Sequence, residues 1–270
     1  MMMKDFLITF GCSWTFGQGS GYQDGMTEDE YNKIYLDPEV CWQNGWRRHV
    51  AEHFDLENIN FGCGGSSNDK QFRLAKQFFA SNTFKKIIQS KAKVYVLWGT
   101  TSVNRYDFWI REDFDYAHVF LKSADNEDVC PELLGEQHGA IDQIAGVLNK
   151  YSYYEPARVK QLELEFFHWN QYFKMMGIKN FWYDTFSSFR YGVNLPNFFD
   201  QGKAGRRDML ATIVENDRVR KKSIVPGWCV DDFAYAREHD LLNPYTYHPK
   251  VDGYKEIADH LISKLQEHIQ

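Results

Sequence analysis

The sequence predicts a single α/β domain of three layers, with helices on both faces of a parallel sheet of about five strands. Three observations predict it. Short apolar runs rich in β-branched and aromatic residues recur at 6–10, 56–61, 93–100 and 178–185. Between them lie amphipathic stretches, such as the one carrying Trp42, Trp46, Val50 and Phe54 at four-residue spacing, which is the period of a helix face. Glycine stands at or beyond the end of three runs, at Gly11, Gly62 and Gly99, where the backbone needs freedom to turn. Strands alternating with helices imply a parallel sheet covered on both sides. No repeat or linker divides the chain, and 270 residues suit one large domain.

The first strand, residues 6–10, ends abruptly at Gly11, and Ser13 follows in the glycine-rich stretch FGCSWTFGQG. In an open parallel sheet, ligands bind beyond the carboxyl ends of the strands. A hydroxyl there is placed to act as a nucleophile, or simply to cap a turn. A short helix is expected near 28–35, and a longer amphipathic one over 40–51, with Pro38 as its start signal. The second strand leads into Gly62-Cys63-Gly64-Gly65-Ser66-Ser67-Asn68, a glycine turn with Ser and Asn caps, and then a helix over about 69–80. The third, KVYVLWGT, is followed by Thr101 and Ser102.

Residues 108–136 are acidic and irregular, with Asp113, Asp115, Asp125, Glu127, Asp128 and Glu132. They match no EF-hand spacing and read as a solvated insertion or a partner-facing segment. Helices are expected at 139–150 and 157–176, the second closed by Gly177 in the C-cap position. After the strand at 178–185, the stretch 187–205 reads as loop. Helices are expected at 206–220 and 231–239, and a short fifth strand at 223–225. The last helix carries an apolar stripe of Ile257, Leu261, Ile262 and Leu265.

Composition removes several function classes. The net charge is −6 with no long Lys/Arg block, which argues against a nucleic-acid partner. The five cysteines are odd in number and form no CxxC pair. They indicate reduced thiols rather than a disulfide framework or a zinc site. Cys12 and Cys63 flank the glycine turns and read as small buried hydrophobes. The opening MMMKDFLITFGC is too short in its apolar part for a signal peptide, and no apolar run approaches the roughly 20 residues of a membrane span. A soluble, cytoplasmic protein without metal or cofactor is expected. Aromatic residues make up 17% of the chain, giving much core area and a thin hint of a sugar site.

Read in order, Gly11-Cys12-Ser13, then Asn60 with Gly65, then Gly99-Thr100-Thr101-Ser102, then Tyr245-Thr246-Tyr247-His248 resemble the four short blocks of the SGNH hydrolases. These are the GDSL-type esterases and lipases, and the divergent members in phage genomes that read GCSW are the most similar. The resemblance spans the chain and implies a flavodoxin-like sheet. It implies Ser13 as nucleophile and His248 as the base that takes its proton. It also implies an oxyanion hole from Ser13, Gly65 and a third-block donor, either Thr101 or Asn104. Its substrate would be a small ester or an acylated carbohydrate, with O-acetyl groups as one form.

This chain departs from the family pattern in three places. Cys12 replaces an Asp, Thr101 an Asn, and Tyr245 the Asp that orients the histidine. Asn243, Asp240, Asp231 or Asp232, or a backbone carbonyl, would then have to orient His248. His248 also stands before Pro249, where it could simply enter a helix. The altered positions keep open a chain that retains the fold without the chemistry, serving as a virion or binding component with homo-oligomer contacts. A phosphate or nucleotide site in the turn 62–65 is a weaker third reading, because no Walker lysine and no GxGxxG is present.

Overall fold

A computed structural model describes residues 4–103, 105–109, 116–120, 155–185 and 240–269. The elements run β1 (Phe6–Phe10), α1 (Ser13–Phe16), α2 (Glu28–Asn32), α3 (Pro38–Asn44), α4 (Trp46–His53), β2 (Glu57–Asn60), α5 (Asn68–Phe79), α6 (Asn82–Gln89), β3 (Val94–Thr100), β4 (Arg105–Trp109), β5 (Tyr116–Phe120), α7 (Glu155–Met176), β6 (Lys179–Asp184) and α8 (Val251–Leu265). Four strands form one parallel sheet in the order β2-β1-β3-β6. Its register pairs Phe6 with Glu57 and Val94, and Trp98 with Trp182.

β1 and β3 are buried along their whole length, as strands covered on both faces must be. Their side chains alternate between two cores. Phe6, Ile8, Phe10, Val94, Val96 and Trp98 join Trp182 against α5, α6 and α7, where Phe72, Phe79, Phe84 and Phe166 close the layer. Leu7, Tyr95, Leu97, Phe181 and Tyr183 face the other way, onto Trp46 and Val50 of α4 and Tyr254, Ile257 and Leu261 of α8. The protein is thus an α/β fold of three layers around a parallel sheet, as the alternating pattern predicts.

The expected helix over 40–51 is broken into α3 and α4. Gly45 takes an extended conformation, with φ −78° and ψ 156°. A Cβ there would lie 2.5 Å from the Cys41 carbonyl oxygen and 3.3 Å from Gly17 Cα, so the packing at the break admits only glycine. The helix near 28–35 is shorter than expected. It opens on a capping box in which Thr27 and Glu30 exchange hydrogen bonds. α6, which the pattern did not single out, is capped by Ser81 and buries Phe84 and Ile87.

The front of the stretch read as irregular is instead an antiparallel hairpin, β4 pairing with β5. Its strands hold Tyr106, Phe108, Tyr116, Val119 and Phe120, all strand formers, while Asp113 and Asp115 lie between them. Asp107 fastens β4 to α5 by accepting from Ser67 Oγ at 2.6 Å and pairing with Arg73 at 2.5 Å. The expected strand at 223–225 and the helices at 139–150, 206–220 and 231–239 lie outside the described residues. Among the described residues, no helix is long and apolar enough to cross a membrane.

Candidate active site

The chain leaves β1 for β2 on one side and returns to β3 on the other. The carboxyl ends of β1 and β3 therefore flank the switch point where such sheets form a crevice. Ser13 is the first residue of α1, just past β1, and is 5% exposed. The turn that carries it is held from several sides. The Ser13 carbonyl accepts from Gly17 and Gln18 N–H, each at 3.0 Å. Trp46 Nε1 donates to the Trp14 carbonyl at 3.0 Å and Arg47 Nη2 to the Phe16 carbonyl at 2.8 Å. Thr15 Oγ1 meets the Tyr183 hydroxyl at 2.7 Å. Gly11 is obligatory, because a Cβ there would sit 2.6 Å from Thr15 Cβ. Among the described residues the Ser13 hydroxyl has no hydrogen-bond partner.

The second turn is shaped by Asn60, whose Oδ1 accepts from Thr9 Oγ1 at 3.0 Å and from Gly62 N–H at 2.8 Å. Gly65 is exposed at φ +67° with open space where a Cβ would stand, so the left-handed conformation alone favours glycine there. Asn68 then ties this turn to the next strand end. Its Oδ1 accepts from Thr101 N–H and its Nδ2 donates to the Thr101 carbonyl, both at 2.9 Å.

Thr101 is fully buried. Its hydroxyl accepts from Arg105 Nη1 at 3.1 Å, and the same nitrogen lies 3.4 Å from the Ser66 carbonyl. Burial pushes the Arg105 guanidinium below its ordinary range, opposed by its contacts with Cys12, which include a side-chain hydrogen bond. A cation thus stands between the strand ends, beside the residue preceding Ser13. Asn104 lies outside the described residues.

His248 sits in the loop before α8. Leu242 bridges Pro249, and Asn243 donates to the His248 carbonyl from its backbone at 2.9 Å and from Nδ2 at 2.8 Å. The loop packs onto the turn that follows α1. At Gly19, with φ +94°, an added Cβ would fall 2.5 Å from His248 Cβ and 2.7 Å from Asn243 Nδ2. Gly19→Ala is therefore expected to cost on the order of 2 kcal/mol or more of stability and to displace His248. A urea titration read beside an activity assay checks both.

The His248 ring hydrogen-bonds the Thr246 backbone, one of the expected kinds of partner, and also meets a hydroxyl that was not expected. His248 Nδ1 lies 3.0 Å from Thr246 Oγ1. Thr246 Oγ1 donates to Asn243 Oδ1 at 3.0 Å and meets the Tyr31 hydroxyl at 2.8 Å. Asn243 reaches the imidazole only through Thr246. Asp240 is committed to an ion pair with Lys250 at 2.7 Å. Tyr245 donates its hydroxyl to the Met26 carbonyl at 2.6 Å and packs its ring against Tyr22 and Tyr31. Asp231 and Asp232 lie outside the described residues.

Burial pushes the half-buried His248 ring down to about 4, with the Thr246 backbone opposing the shift and the Arg105 charge adding to it. A base with that value is neutral at pH 7 and takes up its proton only as pH falls towards about 4. If His248 is the base, kcat/KM falls as pH drops towards about 4, not near the ordinary 6.5, and a pH–rate profile reads this directly. The same shift bears on stability. The unfolded ring takes up its proton near 6.5 and the folded one near 4, and His260 behaves alike. The native state then loses stability as pH falls from about 6.5 to 4. Urea midpoints should drop over that window, less so in His260→Gln.

Ser13, the Gly65 turn, Thr101 and His248 thus occupy the ends of β1, β2 and β3 and the entry to α8. Arg105, Thr246 and Tyr31 join them without having been singled out in the sequence. Among the described residues His248 and Ser13 share no hydrogen bond. Also among the described residues, no group of three or more His, Cys, Asp or Glu is placed to hold a metal ion. Cys12 is buried and Cys63 partly so, and both are free thiols.

No known protein-family profile matches the chain, and no curated protein matches it. Among solved structures it is similar to an acetyl xylan esterase from the rumen bacterium Butyrivibrio proteoclasticus, with a TM-score of 0.44 and 11% identity. That match covers 97% of this chain and 63% of the other, so the chain spans less than two thirds of that protein's length.

Proposed function

We propose that the protein is an SGNH-type serine hydrolase acting on a small ester. The Ser13 hydroxyl attacks the ester carbonyl carbon as His248 Nε2 takes its proton, and the carbonyl oxygen becomes an oxyanion. Collapse of that intermediate breaks the bond to the alcohol, which leaves with the proton from His248. Water, deprotonated by the same ring, then releases the acid and regenerates Ser13. The N–H groups of Ser13 and Gly65 serve as oxyanion donors, with the Arg105 charge adding a fixed positive potential.

The observation that supports this reading is the gathering of Ser13 and Gly65 at adjacent strand ends, beside the partly buried Arg105, with the His248 loop seated on the turn after α1. O-acetylated carbohydrate is the proposed substrate class. The support is compositional: 45 Phe, Tyr and Trp residues, of which Tyr247 is 50% exposed beside His248.

The test compares hydrolysis of p-nitrophenyl acetate and acetate release from an O-acetylated oligosaccharide by wild type and Ser13→Ala. Turnover that depends on Ser13 supports the reading, and equal rates contradict it. A second reading, a protein that binds a ligand on this fold without turnover, is favoured by the neutral hydroxyl that stands where a carboxylate would support the imidazolium. Binding of the acylated sugar without acetate release would favour it.

A further inference from the structure

We propose that Thr246, held between Tyr31 and Asn243, orients His248 and fixes Nε2 as its proton acceptor, in place of a carboxylate. The inference rests on the hydrolase reading for its kinetic consequence but not for its geometry.

One arrangement of protons places a hydrogen in every contact of the network. Asn243 Oδ1 faces two backbone donors, Tyr245 N–H at 3.2 Å and Thr246 N–H at 2.8 Å, while its Nδ2 faces the His248 carbonyl at 2.8 Å. N–H groups only donate and carbonyls only accept, so the amide has a single orientation. Oδ1 can then only accept from Thr246 Oγ1, 3.0 Å away. That contact uses the one proton of the threonine hydroxyl.

In that arrangement the two remaining contacts of Thr246 Oγ1, to the Tyr31 hydroxyl at 2.8 Å and to His248 Nδ1 at 3.0 Å, both donate to it. A hydroxyl oxygen has two lone pairs for this purpose. Tyr31 is fully buried and its hydroxyl is pushed up to about 12, so it stays a donor at every working pH. Nδ1 accordingly carries the hydrogen and Nε2 the free lone pair. The Thr246 backbone also hydrogen-bonds the ring in the sense that favours a protonated nitrogen.

This differs from a carboxylate in one respect. Thr246 selects the tautomer and the ring angle but brings no negative charge to stabilise the imidazolium. The positive charge nearest in effect is Arg105, which opposes that state. The step in which His248 holds the Ser13 proton is thus supported by geometry alone, and turnover is modest.

The experiment uses the full chain with ¹⁵N-labelled histidine, His248→Gln serving to assign the signal. Wild type is expected to show the neutral Nδ1–H form. Thr246→Val removes the hydroxyl at nearly constant shape. It is expected to shift the ring towards Nε2–H and to lower kcat roughly 10²-fold, less than the ~10⁴ seen when a protease triad loses its carboxylate. KM stays within about threefold, since substrate binding is untouched. Thr246→Ser restores the Nδ1–H form and most of kcat. Retention of the Nδ1–H form in Thr246→Val, or equal losses in the Val and Ser variants, overturns the proposal. If Ser13→Ala leaves ester turnover unchanged, the hydrolase reading fails, and the tautomer signal alone still decides the role of Thr246.

Discussion

Ser13→Ala is expected to lower ester turnover by at least ~10³-fold, and His248→Ala by a similar factor, with the double variant no slower than either single one. The non-additivity matters more than the size. If His248 acts only by taking the Ser13 proton, its removal costs nothing once the hydroxyl is gone. Residual turnover over water comes from the oxyanion donors and binding alone. The Ser13 substitution should leave the fold intact, because the hydroxyl has no hydrogen-bond partner among the described residues and the turn is held by main-chain contacts. Steady-state rates on p-nitrophenyl acetate, with urea midpoints as a control, check the set. Additive losses in the double variant would separate the two residues mechanistically.

Trp98→Ala is expected to destabilise the protein by about 3–5 kcal/mol, the range for removing a buried large aromatic. Trp98 has no exposed surface, and its ring lies 4.5 Å from Phe10, 4.8 Å from Trp182, 5.6 Å from Phe72 and 5.7 Å from Trp169. It therefore joins two neighbouring strands to α5 and α7 at one point. Its Nε1–H donates to Gln71 Oε1, while Gln71 Nε2 has no partner among the described residues. Truncation would leave a buried amide with neither end satisfied, adding to the cavity term. Trp98→Phe keeps most of the ring contact but still strands Gln71, so an intermediate loss is expected. Chemical denaturation of the three proteins gives the comparison. A loss under about 1.5 kcal/mol for the alanine variant would show that this core collapses around the gap.

The parallel sheet was legible because β1 and β3 are buried on both faces and read as unbroken apolar runs, each ending in a turn. The break at Gly45 was not. Helical periodicity continues from Trp42 to Trp46, and the extended conformation of Gly45, packed against Gly17 and the Cys41 carbonyl, carries no periodic signal. The pairing of β4 with β5 was masked by the acidic residues that separate the two strands in sequence. The positions of Ser13 and Gly65 beyond strand ends, and of His248 before the last helix, were legible from the glycine turns and the order of the short blocks. Arg105 was not, because attention to an asparagine in the third block passes over an arginine beyond it. Thr246 was hidden more deeply. Its hydroxyl stands one residue after the position where a carboxylate is sought, and its Tyr31 partner is 215 residues away in the chain. No local spacing signals a contact of that range.

The most direct test of Ser13 as an activated nucleophile is reaction with a fluorophosphonate, followed by mass spectrometry of the peptides. A single phosphonyl adduct on Ser13 is expected, absent in Ser13→Ala and formed far more slowly in His248→Ala. An unlabelled Ser13, or labelling of Ser13 at the same rate without His248, would contradict the nucleophile and base assignments on which the proposed hydrolysis depends.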